Sequence, residues 1–459
     1  MEGQSIKVER QITYLGVVLD HRLTWLPHAK YIKSIATNLF NALARVAKAK
    51  WGLTTEAINT IYKGAFIPKV TYAASAWHEA TKKTCIKRKL RSTQRTALLR
   101  ITRAYRTTST EALMVIAGTT PIDLVAQEKA KTYMCRRGHN IILNGTSLSE
   151  TDYECQPTAI ILPRTYNRKA IVMAEEEESG EMEIFTDGSK VENQVGASYL
   201  VMQNEKEIYH DKFRLDDRCT VHQAELFAIL QSVRWIISTR LTGSIIIVNT
   251  DSKAAICSLQ QFNDRNIMAL EIKNLINKHE LNIKIKWVKA HVGIMGNERA
   301  DALAKEATLQ SEIAYNKIPL SYIKKMLRQE SIQEWQEEWS YSEKGRHTFW
   351  LLPNIQERIH DLNWLPIDHI MTQLLTNHCN TKEYLNRIGK HQDISCECGN
   401  GNHSLEHVIN DCSKYDMDRM QLRLLITECL NTTELDLYRI IRTKTLAQDM
   451  KTFTCKVLS

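Results

Sequence analysis

No apolar run in the 459-residue sequence approaches the ~18–20 residues that a membrane-crossing helix needs, so no membrane partner is expected. The N-terminal stretch scatters Glu2, Lys7, Glu9, Arg10 and Asp20 among short apolar pieces, which excludes a secretory signal there. No self-similarity at a period of about 20–50 residues recurs, and this excludes solenoid and propeller arrays. Acidic side chains are absent from residues 81–106, where ten basic ones stand.

That last absence belongs to a wider asymmetry. Residues 1–140 hold 24 Lys/Arg against 8 Asp/Glu, a net +16, while the whole chain carries only +9. A polyanionic partner, a nucleic acid, is the simple reading. Its candidate contacts are Lys82, Lys83, Lys87, Arg88, Lys89, Arg91 and Arg95. Eleven cysteines without a signal point to an intracellular, reducing setting, cytoplasm and nucleus undistinguished. Clustered cysteines there are more often metal ligands than disulfides.

The length suffices for several domains. After a short strand over 12–20, residues 29–49 and 54–79 repeat apolar side chains at three- and four-residue spacing, so 1–140 reads as helical. Residues 141–179 read as a linker: the periodicity fails, Pro157 and Pro163 intervene, and the acidic run 175–178 closes it. From 182 onward short strands (184–186, 197–202, 208–213) precede a helix over 222–238, a strand over 244–249, a helix over 252–260, a strand over 283–288 and a helix over 296–309. A further helix is expected around 267–279. The order βββαβαβα predicts a mixed five-stranded sheet flanked by helices over 180–309. Residues 310–390 read as helical again, and 391–459 as a cysteine- and histidine-bearing module with a helical tail.

Four carboxylates sit at element ends that can converge: Asp187 after the first strand, Glu225 one turn into the 222–238 helix, Asp251 at the end of the 244–249 strand, and Asp301 early in the last helix. Oxygen ligands of this kind suit Mg²⁺ or Mn²⁺. Two such ions can activate a water and stabilise a leaving oxygen in phosphodiester cleavage. Each residue alone would be an ordinary turn or helix acid; their joint order is what carries the signal.

The motifs Thr-Asp-Gly-Ser at 186–189, His-Gln-Ala-Glu-Leu-x-Ala-Ile at 222–229, Thr-Asp-Ser at 250–252 and Val-x-Ala-His-x-Gly-x-x-Gly-Asn-Glu-x-Ala-Asp-x-Leu-Ala at 288–304 resemble the type 1 ribonuclease H family. The resemblance implies a ribonuclease H fold and hydrolysis of the RNA strand of an RNA–DNA hybrid, leaving 3′-hydroxyl and 5′-phosphate ends. It implies Asp187, Glu225, Asp251 and Asp301 as metal ligands and His291 as a loop histidine assisting proton transfer or product release. Gly188 is expected to let a phosphate approach the backbone, and Asn193 and Gln223 to reach the hybrid's minor groove. The family's basic helical insertion is missing, since residues 261–280 are charge-balanced; the 81–106 segment is expected to supply that grip.

Residues 14–20 with Leu23, Thr24, Trp25 and His28 resemble the junction after the palm of non-LTR retrotransposon reverse transcriptases, and the stretch to 140 their thumb or connection. A polymerase needs a paired-aspartate strand, whereas Asp216-Asp217 falls in a polar turn, so no polymerisation is expected. Cys396, Cys398, His407 and Cys412 offer four ligands within seventeen residues and suit a structural Zn²⁺, with His378 and Cys379 as alternatives. This spacing resembles the C-terminal parts of R1- and I-like retrotransposon polyproteins. The expectation is a truncated retrotransposon polyprotein with an intact nuclease; the rival reading is a non-catalytic nucleic-acid-binding relic.

Overall fold

The computed structural model describes residues 9–44, 53–154, 172–174, 180, 182–241, 245–261 and 266–458. They form two compact units: a sheet unit, Lys131–Leu327, and a helical unit built from Met1–Ala130 and Arg328–Ser459. The acidic run 175–178 and most of the expected linker lie outside the described residues.

In the sheet unit, long strands with apolar residues on alternate positions form an antiparallel meander of β2 (Met182–Val191), β3 (Gln194–Gln203) and β4 (Lys206–Leu215). β5 (Ile246–Thr250) lies parallel to β2, and β6 (Ile283–Trp287) parallel to β5. Among the described residues the sheet has seven strands rather than five, because β1 (Val172–Met173) adds to β6 and β7 (Ile313–Tyr315) adds to β4, in the order β7-β4-β3-β2-β5-β6-β1. Both additions pair with strands that would otherwise expose an open edge. At two and three residues they are too short to leave a period-2 signal.

Four helices accompany the sheet: α1 (Val221–Ser238), α2 (Lys253–Gln260), α3 (Ile267–Lys278) and α4 (Met295–Ala307). Because side chains alternate along a strand, Ile184 of β2 enters a core with Leu226, Ile229, Val233, Val248 and Ile272. Its neighbour Phe185 enters a second cluster with Leu200, Ala300 and Leu303 of α4.

The expected boundaries shift at both ends of this unit. Residues 141–148 are a hairpin, Ile141–Leu143 against Thr146–Leu148. With Cys135, Tyr153, Ile318, Ile323 and Leu327 it builds a separate small core. Residues 131–140 and 310–327 thus belong with the sheet unit, since Cys135, Ile318, Ile323 and Leu327 are buried in that small core.

In the helical unit, the expected single strand over 12–20 is a hairpin, Gln11–Tyr14 with Val17–Asp20, turning at Leu15 (φ 45°) and Gly16 (φ 79°). The expected 54–79 helix runs unbroken from Thr55 to Val70 through a wider π turn at Tyr62–Phe66, and is interrupted at 71–73, with Ala73 in the left-handed region at φ 50°, before the short piece Ala74–Trp77. Residues before 130 and after 328 share one core, in which Phe40, Phe66, Leu98, Ile116, Trp335, Leu374 and Met450 are buried. The early and late regions are therefore one body, not three separate domains: amphipathic faces far apart in sequence bury one another.

Candidate active site and metal centre

β2 and β5 run parallel, and their last paired residues are Thr186 and Thr250. The next residue on each is an aspartate, so the register alone sets Asp187 and Asp251 side by side. Asp187 does not follow its strand, as the sequence suggested. It sits inside β2, which continues to Val191 through pairing with β3 (Asp187 opposite Ser198).

Glu225 joins them from α1, whose start is fixed by a reciprocal cap. Thr220 Oγ1 accepts from the Gln223 backbone N–H at 3.3 Å, and Gln223 Oε1 accepts from the Thr220 N–H at 2.9 Å. The helix can approach β2 because residue 188 is glycine: a Cβ there would lie 2.5 Å from the Glu225 nitrogen and 2.8 Å from the Ala224 carbonyl carbon. The close approach at Gly188 is made by this helix. Gly188→Ala should destabilise the sheet unit by about 1–3 kcal/mol through overpacking, read as a lower urea midpoint with an unchanged slope; an unchanged midpoint would mean the helix sits further off.

Carboxylate oxygens of Asp187, Glu225 and Asp251 lie within 4.8 Å of one another. Burial pushes the Asp187 carboxyl up to about 7, with the charges of Asp251 and Asp301 adding to it. Glu225 is driven well above the carboxylate range, first by burial and then by Asp187 and Asp251. Among the described residues Glu225 Oε2 is buried with no hydrogen-bond partner. Asp301 is not in the triplet. Its Oδ2 accepts from Lys305 Nζ at 2.7 Å, one helical turn on, although its charge still reaches Asp187. His291 is exposed in the loop before α4, at φ 55°.

Cys396, Cys398, His407 and Cys412 also meet within 4.8 Å. Cys396 Sγ is 3.7 Å from Cys412 Sγ, and Cys398 Sγ 3.2 Å from His407 Nε2. A bridge between Ser395 and Asn402 closes a tight loop in which Gly399 (φ 82°) and Gly401 (φ 95°) take conformations that favour glycine. Ser404 then caps the helix Leu405–Asn410, which carries His407 in its first turn. The Asn400 backbone N–H, above all, holds the Cys398 thiol down to about 6, while burial pushes Cys412 up to about 11. His378 and Cys379 stand apart: His378 Nδ1 is bonded to Thr107 at 3.0 Å, and Cys379 Sγ is 3.4 Å from Thr381 Oγ1.

A family model described as RNase H matches residues 179–309. A ribonuclease H of Campylobacter jejuni is 30% identical over 140 residues, covering 28% of this chain and 92% of that protein. The chain belongs to the ribonuclease H family. Its ribonuclease H domain is also similar to a retrovirus-related Pol polyprotein from the type-1 retrotransposable element R1 4 of Nasonia vitripennis, 39% identical over 143 residues, 31% of this chain and 36% of that one. The R1 Pol polyprotein of Popillia japonica is 26% identical over 228 residues, covering 48% of this chain and 85% of the relative. The chain is thus an R1-like Pol relative bearing a ribonuclease H domain, and it spans about a third of the Nasonia protein's length.

One polar residue of the ribonuclease H domain changes meaning. Gln223 is buried: beyond its capping role it donates to Glu154 Oε1 at 2.7 Å and to the Lys317 carbonyl at 3.1 Å, so it offers no groove contact. Asn193 stays exposed at the β2–β3 turn. Asn297, not singled out from sequence, is buried and donates to Asp251 Oδ2 at 3.3 Å; the signal was its place inside the Gly-Asn-Glu run. Asp216 and Asp217 lie in the turn after β4, where Arg218 and Arg214 pair with them.

Outside the ribonuclease H domain, the basic segment is only partly available. On the helix Thr84–Thr102 one face is buried through Ile86, Leu90, Ala97 and Leu98. Beside that face Arg91 makes two 2.8 Å bonds to Asp123 and lies 2.7 Å from Glu338, and Lys87 pairs with Glu338. Lys82 is paired with Glu79 at 2.5 Å. Arg95 donates to Thr110 Oγ1 at 3.1 Å and to the Arg106 carbonyl at 2.6 Å. Lys83 and Arg88 are exposed, and Lys89 is half-buried. Lys87 and Arg91 are therefore internal ion-pair partners first, contrary to the sequence reading.

Proposed function

We propose that the ribonuclease H domain hydrolyses the RNA strand of RNA–DNA hybrids with Mg²⁺ or Mn²⁺. The observation that carries this is the convergence of the Asp187, Glu225 and Asp251 carboxylates around a buried Glu225 oxygen that no donor among the described residues satisfies. Three such acids, of which Asp187 and Glu225 are pushed toward neutrality by burial and by neighbouring charges, fit hard divalent cations, which remove that repulsion. Bound there, a pair of cations would supply water activation and stabilisation of the leaving oxygen. Asp187, Glu225 and Asp251 would hold them, with Asp301 recruited from its pair with Lys305. Asn297 orients Asp251. His291, free to reach over the site from its loop, would move a proton or release product.

The Cys396, Cys398, His407 and Cys412 set fits Zn²⁺ in the same sense. Tetrahedral ligation with Zn–S bonds of ~2.3 Å places sulfurs about as far apart as the 3.7 Å between Cys396 and Cys412. Its role would be structural and would aid nucleic-acid binding, alongside Lys83, Arg88 and Lys89.

The deciding assay is purified chain with labelled hybrid, single-stranded RNA and duplex DNA, in Mg²⁺ with and without EDTA. Cleavage confined to hybrid RNA and abolished by EDTA is expected; no cleavage by intact, metal-loaded protein would favour the non-catalytic relic. His291→Ala should slow turnover ~10²–10⁴-fold, as loss of a general acid–base group does, without changing Mg²⁺ affinity. A lost Mg²⁺ affinity would instead make His291 a ligand.

The raised Asp187 pKa adds a stability signature. An acid raised in the fold contributes its full stability below the unfolded value of 3.8 and loses it as pH climbs through about 7. Mg²⁺ should therefore raise the melting temperature of the sheet unit more at about pH 8 than at about pH 5. An equal increment at both would leave the carboxylates uninvolved in binding it.

A further inference from the structure

The helical unit carries a groove that neither metal centre uses. A cavity of about 500 Å³ is lined by Arg95, Thr107–Thr110, Lys344, Thr376 and His378. A second, of about 270 Å³, is lined by Arg88, Ser92, Arg95 and Thr110 among others. Both share Arg95, Thr110 and Glu111, so they form one continuous trough. Its walls come from segments some 230 to 290 residues apart, roughly the spans from Thr110 to Lys344 and from Arg88 to His378.

The chemistry of the lining is selective. Hydroxyls and cations dominate, and among the described residues the only aromatic ring in the lining is the His378 imidazole, which Thr107 and Thr108 hold by hydrogen bonds. Bases would need stacking platforms; phosphates need hydroxyls, guanidinium and ammonium groups. Lys87 and Arg91 contribute little net charge here, since Asp123 and Glu338 neutralise them. Arg88 and Lys344 are exposed and have no carboxylate partner among the described residues. With Arg95 they outweigh Glu111, the one acid in the lining.

We propose that this trough holds the sugar–phosphate backbone of a single nucleic-acid strand, gripped by Arg88, Arg95 and Lys344 without reading its bases. The lining offers hydroxyls and cations to one backbone and no platform for bases beyond the His378 ring. The choice of a nucleic acid among polyanions rests on the hybrid-cleaving reading. The test uses a strand which that activity does not cut, so the two proposals fail separately.

The experiment measures binding of fluorescein-labelled oligothymidylate to the full chain by anisotropy across a salt series. The Arg88→Glu/Lys344→Glu double variant should bind at least about tenfold more weakly, with a log–log salt slope shallower by ~1.4, or ~0.7 per lost cation. The Lys63→Glu/Lys69→Glu variant reverses the same charge at exposed positions outside the trough and should bind as wild type. Equal weakening by both variants would reduce the effect to net charge and overturn the site. So would wild-type affinity in Arg88→Glu/Lys344→Glu, or an equal loss for duplex DNA, which would move the grip to a convex surface. Unchanged melting curves for the variants exclude unfolding as the cause.

Discussion

Asp187→Asn and Asp251→Asn should each cut hybrid cleavage by at least ~10²–10³-fold, the scale of losing one preorganised electrostatic partner at a reacting centre, while leaving the sheet unit folded. The amide nearly preserves volume but removes the charge that would hold a cation. At Asp187 the fold should not suffer, because burial and the neighbouring charges of Asp251 and Asp301 already oppose ionisation there. In EDTA at neutral pH the Asp187→Asn protein should melt at or above the wild-type temperature, and the Mg²⁺-induced rise should shrink. Asn297→Ala should give a milder loss, since it frees Asp251 from its 3.3 Å donor without removing a carboxylate. Near-wild-type cleavage by either aspartate variant would relocate the chemistry. A collapse of melting temperature in Asp187→Asn would instead show that its hydrogen bonds, not its charge, are what the fold uses.

The acids were legible in the sequence because each sits in a short local motif, although Asp187 lies within its strand rather than after it. The parallel register of β2 and β5, ending at Thr186 and Thr250, turns two separate motifs into neighbours. Gly188 was legible as a point of close approach but not as to what approaches it; that depends on the crossing of α1 over β2. Gln223 misled for a related reason. It shares a motif with Glu225, yet two positions along a helix point to different faces, and it is buried against Glu154 and Lys317.

Less of the flanking region could be read, and the cause is contact distance. The neutralisation of Lys87 and Arg91 depends on Asp123, some thirty residues on, and on Glu338, which lies across the whole sheet unit in sequence. No local window contains both partners, so a run of basic residues looks uniformly available when only some of it is. The same holds for the core in which Leu98 and Ile116 meet Trp335 and Met450: each helix announces an apolar face, and nothing local says which other face covers it. The edge strands Val172–Met173 and Ile313–Tyr315 failed differently, being too short for any periodicity to register.

Zinc should be present at one ion per chain, and Cys398→Ser should release it while leaving hybrid cleavage by the chain intact. The four ligands gather in a segment with little of its own to hold it: a single bridge, Ser395 with Asn402, and a six-residue helix. A metal tie of this kind supplies order that so small a core cannot. The dependence should be uneven, however. Leu405, Val408 and Ile409 are buried in the core of the helical unit, and Arg419 donates to the Ile409 and Cys412 carbonyls at 2.7 and 2.8 Å. The helix should therefore persist without zinc, and protection from amide exchange should be lost mainly over 391–404. Ligation requires thiolate sulfurs and a neutral imidazole, so affinity should fall as pH drops. Cys398, already held down to about 6 by the Asn400 N–H, should be the ligand that resists this longest, and Cys412, pushed up to about 11 by burial, should give up its proton only on binding. Elemental analysis finding no zinc in reduced, metal-supplemented protein would leave three thiols and a histidine in a glycine turn, with the ribonuclease H assignment untouched. Loss of cleavage in Cys398→Ser would show that the tie reaches further than its own loop.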